Sequence, residues 1–205
     1  MEVLSIESGN QDSTLYYADI DSDEFIRIRE EQDWSEFDEY DNPLTEVLDL
    51  FDEKSVQQPI IRSDSEFIDY WNRLNRRQKV VWVYFAFESQ VRNGGVYQFF
   101  YNTGQFIFAI TEAMEELGLK QLLKSYNHAL SDYLKKSDRV ADIRKDVNNS
   151  SVFKDKWESF ITGYKEITHT KDVEGYLFER ENTKEIYQKI FEYVQTHLSS
   201  FARKK

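Results

Sequence analysis

Cysteine is absent from this 205-residue chain, which excludes disulfides, thiolate zinc sites and cysteine nucleophiles together. No run of about 18 apolar residues occurs, so no membrane-crossing helix is expected. Met1 to Glu7 lack the basic and apolar blocks of a signal peptide, and the expected location is cytoplasmic. There is no Gly-Lys-Ser/Thr loop and no Gly-x-Gly-x-x-Gly turn; Gly94-Gly95 alone is a weak signal for phosphate binding. His128, His169 and His197 are far apart, and none stands four residues from another. A histidine zinc site or a Ser-His-Asp arrangement would need tertiary convergence that the sequence does not encode. The expectation is a noncatalytic protein without metal or cofactor.

Positive charge is scarce where negative charge is dense. The formal net charge is −12, which excludes a uniformly basic nucleic-acid binder, so no direct contact with nucleic acid is expected. The imbalance is uneven. Met1 to Tyr70 hold 21 acidic residues against four basic ones (Arg27, Arg29, Lys54, Arg62), a net of −17, whereas Trp71 to Lys205 hold 17 acidic and 22 basic, a net of +5. Such asymmetry points to an interaction surface. With 40% hydrophobic and 16% aromatic residues the chain can bury one ordinary core, so it is not a disordered tail throughout.

Only two prolines interrupt the apolar periodicity, which is helical over most of the chain. Residues 1–13 show little pattern and read as a frayed or loosely docked terminus. Around Phe25 to Arg29 the alternation of Phe25, Arg27 and Arg29 with Ile26 and Ile28 suggests a short strand, and a helix start at Ser22 is the alternative. Pro43 opens a helix with Leu44, Val47, Leu48 and Phe51. A capping box at Ser63 to Glu66 begins a helix whose stripe runs Phe67, Trp71, Leu74, Gln78, Val81, Phe85, Glu88, Val91 and ends at Asn93-Gly94-Gly95. Its stretch Val80 to Phe87 is apolar all round, fitting a buried central helix or, by its β-branched content, a strand. Further helices are expected from Gln105 to Leu117 with Gly118 as the stop, from Leu119 to about Lys136, from Ser137 to Asn149, and around Phe153 to Tyr164. A last one, capped by Asn182 to Glu185, carries Ile186, Ile190, Val194 and Leu198 and ends in Arg203-Lys204-Lys205. The expected fold is mainly α: a single multi-helix domain over 44–205, preceded by an acidic N-terminal extension over 1–43 with room for a short strand or hairpin.

Within the acidic third, Trp34, Phe37 and Tyr40 alternate with carboxylates at steps of three, a spacing that would dock one aromatic face on the body and project the acids outward. The same run can also be read as solvated surface. Asp19, Asp21, Asp23 and Glu30 match positions 1, 3, 5 and 12 of a calcium loop, but the turn position is Glu24 where such a loop needs glycine. No metal is therefore assigned.

The segment from Glu88 to Asn102, with Asn93-Gly94-Gly95 followed by Gln98-Phe99-Phe100 and Asn102, resembles the signature of the bacterial DNA-mimic protein family, and the resemblance covers roughly residues 65 to 165. Read physically, the same residues make a helix cap (Asn93, Gly94, Gly95), core (Phe99, Phe100) and side chains that hydrogen-bond loop backbone (Gln98, Asn102); a small-ligand pocket of Asn93, Gln98 and Asn102 is the alternative. The resemblance implies a helical DNA-mimic-like domain over 44–205, no enzyme activity, homodimerisation, and an acidic surface that imitates duplex phosphates and occupies the DNA-binding face of a transcription regulator. Such imitation requires carboxylates in spaced rows on a rigid scaffold. The expected contact residues are Asp19, Asp21, Asp23, Glu24, Glu30, Glu31, Asp33, Glu36, Asp38, Glu39, Asp41, Asp49, Asp52 and Glu53, and the expected partner is a basic DNA-binding protein. The alternative is an immunity or antitoxin-type protein that neutralises a basic nuclease toxin with the same face.

Overall fold

The computed structural model describes residues 4–7, 18–55, 64–136 and 153–205; the side chains of 64–65, 153–157 and 159–160 lie outside that description. The fold is mainly α-helical and forms one domain. Its axis is a long helix, α4 (Arg76–Asn102), which buries Val80, Val81, Val83, Tyr84 and Phe87 and so settles the helix reading of that stretch. The preceding α3 (Asp64–Arg73) is a separate helix, a correction to the single helix expected there. Asn75 breaks the chain by capping α4: its Oδ1 accepts from Gln78 N–H (3.0 Å), and Gln78 Oε1 accepts from Asn75 N–H (3.1 Å). The apolar stripe keeps its phase across this short break, which hides it from periodicity. The expected cap at Ser63 lies outside the described residues.

Gly94 and Gly95 kink α4 without ending it, a second correction, since helix resumes to Asn102. After a short 3₁₀ turn (Gly104–Phe106), α5 (Ala109–Glu116) stops at Gly118, whose φ of +67° suits glycine. Two bonds close that end: Gly118 N–H to Glu115 O (3.0 Å) and Leu119 N–H to Met114 O (2.9 Å). Next comes α6 (Lys120–Lys135), close to its expected bounds. The helix expected over Ser137 to Asn149 falls outside the described residues. The chain continues as α7 (Phe153–Glu166) and α8 (Thr170–Leu177); α8, which buries Val173 and Leu177, is absent from the sequence reading.

The last helix, α9 (Arg180–Thr196), starts after Glu179, and the expected box at Asn182 does not form. Asn182 instead donates its amide to Tyr176 O (3.2 Å), and Thr183 its hydroxyl to Leu177 O (2.8 Å), tying α9 back to α8. Helix α4 packs along α5 and α8, and α6 along α5 and α8. The core is largely aromatic: Trp71, Trp82 and Phe106 meet with ring centroids 4.8–5.8 Å apart, and Phe87, Phe99 and Tyr126 with centroids 5.0–6.4 Å apart.

Around this body runs the N-terminal part. Leu4 and Ile6 are buried, and Ile6 N–H donates to Glu112 Oε2 (2.8 Å), so residues 4–7 are docked, the second of the two expected readings of this terminus. Strand β1 (Ala18–Ile20) pairs in parallel with β2 (Ala202–Lys204), in register Ala18↔Ala202, Asp19↔Arg203 and Ile20↔Lys204. Arg203 and Lys204 thus belong to a strand and not to the end of α9, and Lys205 follows that strand. Residues Ser22–Arg29 form helix α1, the alternative reading with its start at Ser22, and not the strand that their alternation suggested, because Asp21 and Glu24 close a full capping box. Helix α2 (Pro43–Lys54) opens at Pro43 as expected, capped by Asn42, and packs against β1 and α9.

Candidate protein-interaction surface

The acidic arm, residues 18–55, is fixed to the body at several named points. Trp34 meets Phe191 edge-on (5.7 Å between centroids), and the buried Phe37 meets Tyr187 likewise (5.8 Å). Arg180 donates to Phe37 O, and Gln195 Nε2 donates to Ile28 O (2.7 Å) and Glu30 O (3.1 Å). Arg92 supplies the ionic anchor: one side of its guanidinium pairs with Glu39 (3.0 Å), the other with the buried Glu88 (2.9 Å). Tyr187 donates its hydroxyl to the second oxygen of Glu88 (3.2 Å). Burial pushes the Glu88 carboxyl above its ordinary 4.5, against the opposing pull of Arg92.

The expected aromatic docking is correct for Trp34 and Phe37 and wrong for Tyr40, which is 87% exposed. The chain between Glu30 and Asn42 is irregular, so residues three apart need not share a face. The expected carboxylates divide into two groups. Asp19, Glu24 and Glu39 are engaged within the molecule, with Arg203, Lys54 (3.7 Å) and Arg92 respectively. Asp21, Asp23, Glu30, Glu31, Asp33, Glu36, Asp38, Asp41, Asp49, Asp52 and Glu53 are exposed, and Glu46, which the sequence reading omitted, joins them. On α2, Glu46, Asp49 and Glu53 recur at steps of three and four, a row on one helix face.

Several of these acids shape the backbone that carries them. Asp33 Oδ1 accepts from Ser35 N–H (2.8 Å) and Asp38 Oδ1 from Tyr40 N–H (2.8 Å). The donated N–H of Ser35 holds the Asp33 carboxyl below its ordinary range, that of Glu24 does the same for Asp21, and the Arg203 guanidinium does so for Asp19. The calcium-loop spacing is occupied by a helix: the eight residues of α1, about 12 Å long, separate Asp21 from Glu30. Among the described residues, no group of three or more His, Asp or Glu could hold a metal ion. The rings of His128 and His169 lie 5.7 Å apart, a proximity with no sequence signal.

The signature residues serve the kink in α4. Gly95 sits at φ +80°, ψ 174°, a conformation that essentially only glycine adopts, and a Cβ there would stand 2.5 Å from Glu174 Oε1. Into that space Glu174 reaches to accept from Val96 N–H (3.0 Å) and from the Tyr164 hydroxyl (2.8 Å), capping the resumed helix at its positive end. Gln98 and Asn102 donate their amides to Gln90 Oε1 (3.0 and 2.8 Å), a side-chain cluster along α4 and not the loop-backbone bonds expected. Phe99 and Phe100 are fully buried, as expected of core residues, and Asn93 is exposed.

The structure is a helical body that bears an ordered acidic arm. Its family is shown by comparison: the DMP19-like protein family matches residues 72–197, and the chain belongs to that family, whose namesake is a DNA mimic and whose members are typically noncatalytic. No curated protein and no solved structure matches the chain. The matched region holds 19 basic and 17 acidic residues, so the family body is close to neutral and the dense acid precedes the match. Among the described residues no helix is long and apolar enough to cross a membrane.

Proposed function

We propose that the protein is a noncatalytic DNA mimic whose acidic arm occupies the DNA-binding surface of a basic protein such as a transcription regulator. The observation that carries this reading is the ordering of the arm. Its exposed carboxylates stand on backbone anchored by Arg92, Arg180 and Gln195, all within the family-matched body. Duplex DNA presents one charge per about 1.7 Å of axis, and a partner shaped to that array needs carboxylates held in place. The row Glu46, Asp49, Glu53 spaces neighbouring acids by roughly 5–6 Å at Cβ. Such a surface steers a basic partner and loses affinity as salt rises.

The test is capture from the source lysate at about 50 and 500 mM salt. Wild type is compared with a variant in which Asp33, Glu36, Asp38, Asp41, Asp49 and Glu53 become Asn or Gln, and captured proteins are challenged with duplex DNA. The expected result is a basic DNA-binding protein held by wild type alone, released by salt and displaced by duplex. Capture indifferent to charge, salt and DNA would refute the mimic. A captured nuclease toxin would move the reading to an immunity protein using the same face.

A further inference from the structure

Of the aromatic series Trp34, Phe37, Tyr40, two rings are spent on α9 and the third stands in solvent. Yet the backbone beneath it is tightly held. Tyr40 N–H donates to Asp38 (2.8 Å), the Asn42 amide donates to Asp38 O (2.8 Å) and Glu39 O (3.3 Å), and Glu39 beside it is clamped by Arg92. A ring 87% exposed on an ordered backbone gives up little entropy when a partner covers it, which is the property of an interface anchor. The flanking Asp38 and Asp41 are exposed carboxylates, so the ring lies in strongly negative surroundings. Within the molecule, arginine guanidinium groups already lie beside partly exposed rings. Arg92 lies 5.9 Å from the ring of the half-exposed Phe178 while pairing with Glu39 and Glu88, and Arg29 lies 4.5 Å from the Phe25 ring.

We infer that Tyr40 is the aromatic anchor of the interaction surface, seating an arginine of the basic partner against its ring while Asp38 and Asp41 pair with the guanidinium. This rests on the proposed decoy reading and adds to it the identity of the cation. A planar guanidinium can stack on a ring and pair with carboxylates at once, whereas a lysine ammonium offers only a point charge.

The experiment uses the full chain and two probes, a nona-arginine and a nona-lysine peptide, titrated by calorimetry at low salt. Wild type is expected to bind the arginine peptide more tightly. Tyr40→Ala should lower arginine-peptide affinity about five-fold and erase the preference over lysine, while Tyr40→Phe keeps both. Since the ring is exposed, the melting temperature of either variant should match wild type. A control variant with Asp33→Asn, Glu36→Gln, Asp49→Asn and Glu53→Gln separates the two readings. If Tyr40→Ala binds like wild type while the control loses affinity for both peptides, the anchor is refuted and the decoy stands. Equal losses of both peptides in Tyr40→Ala also refute it. If neither variant changes binding, both readings fall.

Discussion

The helical body and the acidic arm are held by different physics. In the body, side chains such as Trp71, Phe87, Phe99 and Phe100 are fully buried, and cohesion comes from apolar surface removed from water. The arm has a thin core of its own, with Ala18, Ile20, Ile28 and Phe37 as its buried apolar contacts ahead of α2, and is also secured by long polar side chains reaching out from the body. The family match covers most of the first region and none of the second. Fold and charge are therefore separable in this molecule: the shared body supplies anchors, and what it displays is written in the segment they hold.

Substitutions can test that separation. Trp71→Ala, in the body, should cost about 4 kcal/mol in urea unfolding, because it empties buried space beside Trp82 and Phe106. Arg92→Leu should cost about 3 kcal/mol, since it strands Glu88 in the interior, and should also make the arm cleavable by protease before the body. An arm as resistant as wild type in that variant would mean that Trp34 and Phe37 suffice to dock it. Gly95→Ala should cost about 2 kcal/mol, as its backbone leaves the glycine region or displaces Glu174.

The pH dependence distinguishes the regions by sign. Burial gives Glu88 a higher proton affinity in the folded protein than in the unfolded chain, so its contribution to stability is present below its ordinary 4.5 and is lost as pH rises through the raised folded value. Glu88→Gln should flatten this slope in urea titrations. Asp19, Asp21 and Asp33 in the arm have the opposite shift. Their contribution is complete above 3.8 and is lost as pH falls below it. The smallest effect is expected for Asp49→Asn with Glu53→Gln: both side chains are exposed, and stability should move by less than about 0.5 kcal/mol.

Local chemistry was legible in the sequence wherever one residue type decides the backbone. Pro43 after Asn42 opens α2, and Gly118 closes α5. Where the decision lies elsewhere in the chain, the sequence is silent. The α4 kink depends on Glu174, 78 residues beyond the Val96 N–H that it caps. Likewise Arg92 reads as one more helix cation until the fold sets Glu39 beside it. Regular steps also mislead when no helix underlies them, as Tyr40 shows. The charge asymmetry was plain from composition, but which acids face solvent and which are tied inward followed from the fold.

The parallel pairing of β1 with β2 joins residues 184 positions apart. During synthesis the acidic segment leaves the ribosome before the residues that will hold it, and β2 is made after every helix of the body. Contacts of such long sequence separation form late, because closing the loop between them must be offset by structure already in place. A growing or truncated chain thus carries the negative charge without the ordered array. The ordered array is therefore a readout of a finished body.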